Sequence, residues 1–250
     1  MLTALWEDRE ILVIDKPAGL ATQPGAGVRV SLVEAVERDF GFRPFLVHRL
    51  DRETAGCIIV ARDARSAAKW SDMIAGREVG KFYRAIVSFS RDRPSARSRE
   101  GVPPSGTDAG AGALEGDLDG SVRVRGETKS ARARWRLVGS FGADRFALLD
   151  LELGTGRTHQ LRLQLAGAGM PILGDDAHGD FGLNKELRKS VGLKRLLLLS
   201  WRLVLPGRQP IEASEPQHFA EFFGAFPDAP AWKGDRSEAV RSAADRVEPR

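Results

Sequence analysis

The sequence predicts a single mixed α/β domain of the α+β class, built on a curved, mostly antiparallel sheet with a cleft across its middle. Short apolar runs alternate along the chain with amphipathic segments of helical period, so both kinds of layer are expected. Segments 131–141 (ARARWRLVGSF) and 145–153 (RFALLDLEL) are separated only by Gly-Ala-Asp. So short a turn joins antiparallel strands rather than a parallel crossover.

Further strands are predicted where apolar residues are continuous or alternate. ILVID (11–15) ends at the Pro/Gly turn KPAGL, GCIIVARD (56–63) has the composition of a buried strand, and RLLLLSWRLVLP (195–206) ends in proline. KFYRAIVSF (81–89) alternates, which places Tyr83 with Ala85 and Val87 on one side of its strand.

Helices are predicted where apolar residues recur with a period of three to four and a cap precedes them. SLVEAVERDFG (31–41) begins with Ser31 and has Glu34 at the capping-box position. In the segment 155–175, Leu161 and Leu165 fit either a strand or a helix, and Thr158 as a cap favours the helix. ARSAAKWSDMIAGRE (64–78) and EPQHFAEFFGAF (215–226) complete the set.

The domain is expected to span residues 1–226. Within it, residues 90–125 contain almost no large apolar side chains and are dense in Gly, Pro, Ser and charge, which predicts a mobile loop that interrupts the sheet. Residues 227–250 are rich in charge and poor in apolar side chains, which predicts a solvated, disordered tail.

Charge and cysteine content limit the classes of function. The net charge is +4, and only eight of the 38 basic residues are lysine. Arginine forks suit phosphate and base stacking, although a high-GC genome produces the same bias. The N-terminus lacks the pattern of a signal peptide, no apolar run approaches bilayer length, and Cys57 is the only cysteine, so a cytoplasmic protein is expected.

Two polar segments lie between apolar runs and are the candidate site. VHRLDRETAG (47–56) contains Asp51 between Arg49 and Arg52, and GTGRTHQLR (154–162) adds Arg162. With Tyr83 as a stacking candidate, one acid and several guanidiniums suit electrostatic or nucleophilic chemistry on a phosphodiester-linked substrate.

Other kinds of site have little support in the sequence. Walker A, GxGxxG, CxxC and serine-elbow motifs are absent. The four histidines, His48, His159, His178 and His218, lack metal-ligand spacing, although a site with Asp51 or Asp175 is conceivable.

Four blocks, in order, carry a resemblance to a known family. They are EDREILVIDKPAGL (7–20), HRLDRETAG (48–56), KFYRAIV (81–87) and GRTHQLRLQLAGAGMPILGD (156–175). Over residues 5–223 the chain resembles the RluA-type pseudouridine synthases, as a stand-alone catalytic domain without an S4 domain. The resemblance implies the pseudouridine synthase fold with a central RNA-binding cleft. It also implies isomerisation of uridines in rRNA or tRNA without a cofactor or metal.

The resemblance also implies roles for individual residues. Asp51 corresponds to the catalytic aspartate, either as nucleophile on C1′ or as the base that removes the 2′ proton. Arg49 would fill the space left by a flipped nucleotide, Tyr83 would stack on the target base, and Arg162 would pair with Asp51. Leu198 corresponds to an apolar residue of the pocket. Arg52 receives no role.

Some positions depart from the family pattern and bear on the RNA target. Ala55, Gln164, Leu199 and Ser200 replace residues usual in the family, and QPG (23–25) stands for HPG.

The partner is expected to be RNA, with no membrane and no DNA, and the protein is expected to be a monomer. Two alternatives are a catalytically silent RNA-binding or chaperone protein of the same fold, and a metal-dependent phosphodiesterase.

Overall fold

A computed structural model describes residues 1–88, 115–124 and 127–232 of the chain. The strands, in chain order, are β1 (Thr3–Glu7), β2 (Ile11–Lys16), β3 (Phe45–Leu46), β4 (Ala55–Ala61), β5 (Gly80–Ser88), β6 (Glu115–Asp117), β7 (Gly120–Val124), β8 (Glu127–Ala131), β9 (Ala133–Phe141), β10 (Phe146–Leu153), β11 (Leu198–Val204) and β12 (Ile211–Glu212). The helices are α1 (Leu32–Phe40), α2 (Ala64–Ala75), α3 (Gln160–Gly167), α4 (Phe181–Ser190) and α5 (Gln217–Gly224).

One open sheet runs in the order β1-β2-β4-β11-β5-β10-β9-β6, with β3 beside β4 and β12 beside β11. Every pairing is antiparallel except β4 with β11, so the prediction of a mostly antiparallel sheet in a mixed α/β domain is confirmed. The predicted hairpin of β9 and β10 is also present. A separate hairpin pairs β7 with β8.

Both faces of the central strands are buried, which explains their continuous apolar composition. Alternate residues of β4 enter different cores: Cys57 and Ile59 on one face, Ile58 and Val60 on the other. On the first face the core includes side chains of α2, α4 and α5, and on the second it includes side chains of α1 and α3. The sheet therefore lies between two layers of helices.

The caps of two helices test the local predictions. Helix α1 begins after Ser31, whose backbone N–H donates to Glu34 Oε2 at 2.6 Å, as the capping-box pattern predicts. Helix α3 is present, but Thr158 does not cap it. The cap position is His159, held in the left-handed region at φ 51°.

The prediction of one loop over residues 90–125 is wrong for residues 115–124, which form β6 and β7. Their side chains are mostly small or polar, but backbone hydrogen bonds to β9 and β8 do not depend on side-chain type. Leu118 and Val122 are buried and anchor the segment. The remainder of the predicted loop lies outside the described residues.

The packed chain extends beyond residue 226, where the tail was predicted to begin. The Arg84 guanidinium lies 4.8 Å from the Trp232 ring, and Phe219 contacts the same ring edge-on at 5.8 Å. Asp228 accepts a hydrogen bond from the Gly142 N–H at 2.8 Å. One tryptophan thus offsets the low apolar content of this segment; residues 233–250 lie outside the described part. Within the described ranges, no helix has the length and apolar composition to cross a membrane.

The closest backbone approach between β4 and β11 requires glycine at position 56. Gly56 has φ 102°, and a Cβ there would lie 2.1 Å from the Ser200 carbonyl oxygen. We expect Gly56→Ala to lower the free energy of unfolding by roughly 2 kcal/mol or more, because both backbone strain and a steric clash result. Denaturant titration of the purified variant measures the change.

Gly25→Ala is the matched control, because nothing lies within 4 Å of the position of its added Cβ and its φ is not in the left-handed range. It should change the free energy of unfolding by less than about 0.5 kcal/mol. Equal stability of the two variants would contradict the assignment of Gly56 as the residue that permits the close approach.

Candidate active site

A cleft of about 540 Å³, open to solvent, lies on the face of the sheet that carries α3. Its walls come from the loop before β4, from β5, β10 and β11, and from the turn that leads into α3. The residues that line it are Arg49, Leu50, Asp51, Thr54, Tyr83, Leu153, Gly156, Arg157, Thr158, His159, Gln160, Leu161, Arg162 and Leu198. The five residues selected from the sequence, Arg49, Asp51, Tyr83, Arg162 and Leu198, therefore meet in one cavity.

The loop that carries Asp51 is fixed by backbone hydrogen bonds to the segment after β2. The Thr22 hydroxyl donates to the Leu50 carbonyl at 2.7 Å and accepts from the Leu50 N–H at 3.3 Å. The Gly19 N–H donates to the Arg52 carbonyl at 2.9 Å. These hydrogen bonds fix the backbone on both sides of Asp51. The position of the Asp51 backbone therefore does not depend on contacts of the Asp51 side chain.

The buried ammonium group of Lys16 also binds the backbone of this loop. Lys16 has no exposed surface, and its Nζ donates to the carbonyls of Pro17, Leu20 and Arg52 at 3.1, 2.8 and 3.1 Å. Burial lowers the pKa of Lys16 to about 8, against the opposite effect of nearby carboxylates. Its three donors link the Pro/Gly turn to the active-site loop.

Arg162 contacts two carboxylates, and Asp51 is the more distant one. Arg162 forms a two-point pair with Asp175, with Nε–Oδ2 at 2.8 Å and Nη2–Oδ1 at 2.7 Å. Its Nη1 lies 3.5 Å from Asp51 Oδ2. The expected contact with Asp51 is present, but Asp175 is the partner that fixes the guanidinium.

Asp175 is almost completely buried, with 1% of its side chain exposed. Burial acts to raise the pKa of this carboxyl, but Arg162 and the N–H groups of Ala177 and His178, both at 2.9 Å, outweigh it and hold the pKa below its ordinary value. Asp175 is therefore a charged anchor at neutral pH. Asp51, with 19% of its side chain exposed, keeps oxygens that face the cleft.

The turn before α3 is organised by one buried amide. Gln160 Oε1 accepts from the Thr155 hydroxyl at 2.7 Å and from the Arg157 N–H at 3.1 Å, and its Nε2 donates to the Arg132 carbonyl at 3.0 Å. The residue before Gln160, His159, has a left-handed backbone conformation at φ 51°. The His159 Nε2 lies 3.9 Å from Asp51 Oδ1.

Tyr83 and Leu198 form the inner wall of the cleft from adjacent strands. Both are buried, with 6% and 3% of their surfaces exposed. Burial raises the pKa of the Tyr83 phenol, against a hydrogen bond with Ser200 that lowers it, so the phenol stays protonated at neutral pH. The wall thus presents an aromatic ring and an apolar side chain.

The two arginines that flank Asp51 differ in their surroundings. Arg49 is exposed at the rim of the cleft. Arg52 Nε donates to the Gly19 carbonyl at 3.1 Å and lies 3.7 Å from Glu53 Oε1. Arg52, which received no role from the sequence, therefore belongs to the support of the loop.

The positions that depart from the family pattern are mostly engaged within the protein. Gln164 Nε2 donates to the carbonyls of Leu118 and Ala131, which ties α3 to the β6 side of the sheet. Ser200 Oγ donates to the Cys57 carbonyl at 3.0 Å, while Ala55 and Leu199 are buried. Gln164 and Ser200 therefore contact backbone carbonyls of the protein itself.

Sequence reasoning missed the roles of Asp175, His159 and Lys16 in shaping this site. Asp175 and His159 were considered only as conceivable metal ligands. Among the residues that the structure describes, no group of three or more His, Cys, Asp or Glu is arranged to hold a metal ion. The Gly-Asp pair that ends the fourth sequence block was the available signal for Asp175.

Comparison with known proteins gives consistent matches. A family model described as RNA pseudouridylate synthase matches residues 10–167. Ribosomal large subunit pseudouridine synthase D of Xanthomonas campestris is 36% identical over 185 residues, which is 71% of this chain and 52% of that protein. An uncharacterized RNA pseudouridine synthase of Zymomonas mobilis is 31% identical over 231 residues, which is 85% of this chain and 92% of that protein.

Solved structures agree on the fold. Human RNA Pseudouridylate Synthase Domain Containing 1 and 4 superpose with TM-scores of 0.69 and 0.66, at 20% and 23% sequence identity. The alignments cover 100% and 91% of this chain, and 96% and 94% of those chains. The chain spans about half the length of several curated relatives that it matches.

The block HRLD (48–51) contains a histidine whose environment leads to a prediction about pH. His48 Nε2 accepts the Ile59 N–H at 2.9 Å, and burial lowers its pKa to about 3, with Lys81 acting in the same direction. Between about pH 3 and 6.5, His48 is largely protonated in the unfolded chain but neutral in the folded protein. The free energy of unfolding should therefore rise with pH over this range.

His48→Gln should remove this part of the slope, because glutamine can accept the same N–H but does not titrate. Denaturant titrations of both proteins between about pH 4 and pH 7 measure the difference. Identical slopes for wild type and variant would show that His48 is not held neutral in the folded protein.

Proposed function

Because the chain belongs to the RNA pseudouridylate synthase family, we propose that it isomerises specific uridines in RNA to pseudouridine. In this reaction the bond from uracil N1 to ribose C1′ breaks and a bond from C5 to C1′ forms. The proton on C5 is lost and N1 gains one, so the reaction needs no net oxidant or reductant. The observation that carries the proposal is a carboxylate, Asp51, beside a fixed guanidinium in an open cleft with an aromatic wall.

Asp51 is the proposed catalytic group. Its side chain lines the cleft, and the Arg162 guanidinium lies 3.5 Å from its Oδ2. An anion at this position can attack C1′ or remove the 2′ proton, and both routes remain open. Because Asp175 holds Arg162 by two hydrogen bonds, Arg162 supplies charge to Asp51 without fully saturating its lone pairs.

The target uracil would lie against Tyr83 and Leu198. A planar base gains from stacking on an aromatic ring, by about 1–3 kcal/mol per base. Leu198 would exclude water from the other edge of the pocket. Reaching this wall requires that the nucleotide leave its stack, because a stacked uridine hides its glycosidic bond.

Arg49 is proposed to hold the RNA open. It is exposed at the rim and lines the cleft next to Asp51 in the chain. A guanidinium there can stack on the bases that flank the vacated position and oppose return of the flipped nucleotide.

The substrate class is proposed to be ribosomal RNA, with tRNA as the second candidate. Relatives at 36% and 29% identity have names that refer to the ribosomal large subunit. We propose that the protein acts on RNA and not DNA, as a monomer in the cytoplasm. A silent RNA-binding protein of the same fold is less favoured, because the Asp51–Arg162 arrangement has no function in simple binding.

Asp51→Asn should abolish pseudouridine formation while leaving RNA affinity within about twofold of wild type. Asparagine is nearly isosteric but is neither a nucleophile nor a base, and binding depends mainly on phosphate contacts. Tritium release from C5-labelled RNA and a filter-binding titration measure the two effects. Asp72→Asn, an exposed position on α2, is the control. Turnover by Asp51→Asn at the wild-type rate would remove Asp51 from the proposed role.

Arg49→Ala should slow modification of a structured stem-loop more than that of an unstructured RNA with the same target. Opening a stacked site costs a few kcal/mol, whereas a short single strand requires little unstacking. Rates on the two RNAs are compared at fixed salt, because phosphate binding depends on salt. The control is Arg65→Ala, an exposed arginine on α2. An equal loss on both RNAs would mean that Arg49 is an ordinary phosphate contact.

A further inference from the structure

His159, which lines the cleft, forms a hydrogen-bonded pair with His178, and neither has a role in the proposed reaction above. His159 Nδ1 and His178 Nε2 are 3.0 Å apart, and the rings meet edge-on with centroids at 5.2 Å. The other nitrogen of His159, Nε2, lies 3.9 Å from Asp51 Oδ1. One side of the pair therefore faces the proposed catalytic carboxylate.

Both histidines are fixed by their surroundings. His159 occupies a left-handed backbone conformation at φ 51°, which is uncommon for a residue other than glycine. The backbone N–H of His178 donates to Asp175 Oδ1 at 2.9 Å, so the carboxylate that holds Arg162 also positions the backbone of His178. The ring–ring contact is thus coupled to the same anchor as the rest of the site.

A hydrogen bond between two neutral imidazoles leaves only two tautomer arrangements. If His159 Nδ1 carries the proton, its Nε2 is a lone pair directed toward the Asp51 carboxylate. If His178 Nε2 carries the proton of the bond, His159 Nδ1 is the acceptor and its own proton lies on Nε2, directed toward the carboxylate. The second arrangement is favoured, because an N–H dipole is attracted to an anion and a lone pair is repelled.

The charged groups around the pair are consistent with a neutral His178, which both arrangements require. Burial, Arg162 and His159 lower the pKa of His178, while Asp175 and Asp51 oppose the shift, so the neutral form of His178 is favoured. A neutral His178 has one ring proton, which in the second arrangement is donated from Nε2 to His159 Nδ1. The 3.9 Å separation exceeds a hydrogen bond, so the His159 N–H acts on Asp51 as a dipole and leaves both carboxylate oxygens available.

We propose that His159 is a positioning residue for Asp51 and that His178 sets its tautomer. His159 directs an N–H toward the carboxylate and orients it in the cleft. His178 acts one step further away, by donating to His159 Nδ1. This inference rests on the proposed function only where turnover is measured; the tautomer itself is a property of the free protein.

The test compares two substitutions of His178. In His178→Gln the amide can still donate to His159 Nδ1 and preserve the tautomer. In His178→Phe the ring volume is largely kept, but the donor is lost and His159 is free to change tautomer. The ¹⁵N shifts of the His159 imidazole in the RNA-free protein report the tautomer, and kcat and KM for pseudouridine formation report the effect on the reaction.

We expect the wild-type protein and His178→Gln to carry the His159 proton on Nε2, and His178→Phe to show a mixture. The kcat of His178→Phe should fall about tenfold with KM within about twofold, while His178→Gln stays near wild type. Thermal unfolding of each variant checks that the fold is retained. A purely structural role would not separate Gln from Phe in this way.

Three results would overturn the inference: a wild-type His159 proton on Nδ1, an undiminished kcat for His178→Phe, or an equal loss of kcat in both variants. Failure of the proposed function looks different. If the wild-type protein forms no pseudouridine in total RNA from a deletion strain, the function is withdrawn. The ¹⁵N spectrum then still decides whether His178 sets the His159 tautomer.

Discussion

The geometry of the site depends on the ion pair between Arg162 and Asp175. Asp175 is buried, and removal of one partner from a buried pair of this kind costs about 3–5 kcal/mol. Its role is also geometric, because two hydrogen bonds to Asp175 set the direction in which Arg162 presents its third nitrogen to Asp51. Without that anchor the guanidinium would be free to form a two-point pair with Asp51 and occupy both of its carboxylate oxygens.

The second constraint is a loop whose position is set by backbone contacts. Lys16 and Thr22, both buried, bind carbonyls on either side of Asp51. A buried ammonium that donates to three carbonyls is an expensive way to fix a turn, since its desolvation must be offset by those bonds. Hydrogen bonds to the backbone on either side of Asp51 thus set its position, rather than contacts of its own side chain.

How much of this could be predicted from sequence depends on the range of the interaction. The strand β4 was predicted because Ile58 and Ile59 belong to a run that is apolar on both faces. The strand β6 was missed because its pairing uses backbone groups, and α4 was not predicted from its mostly polar composition. In the site, the Asp51–Arg162 contact, which joins residues 111 apart in the chain, came only from the family resemblance. The Arg162–Asp175 pair was missed, because one sequence shows no contact between distant side chains.

Asp51 lies between two arginines in the sequence, but the three side chains lie in different surroundings in the structure. Arg52 binds the Gly19 carbonyl and belongs to the loop, and Arg49 lies exposed at the rim, where RNA would approach. Neither forms an ion pair with Asp51; among the described residues, the guanidinium that does so belongs to Arg162 on α3. Charges that are adjacent in the sequence thus lie in different surroundings: one supports the loop, one lies at the rim and one lines the cleft. A charge cluster in sequence is therefore a guide to the location of a site, whereas the electrostatic partners within it are decided by the fold.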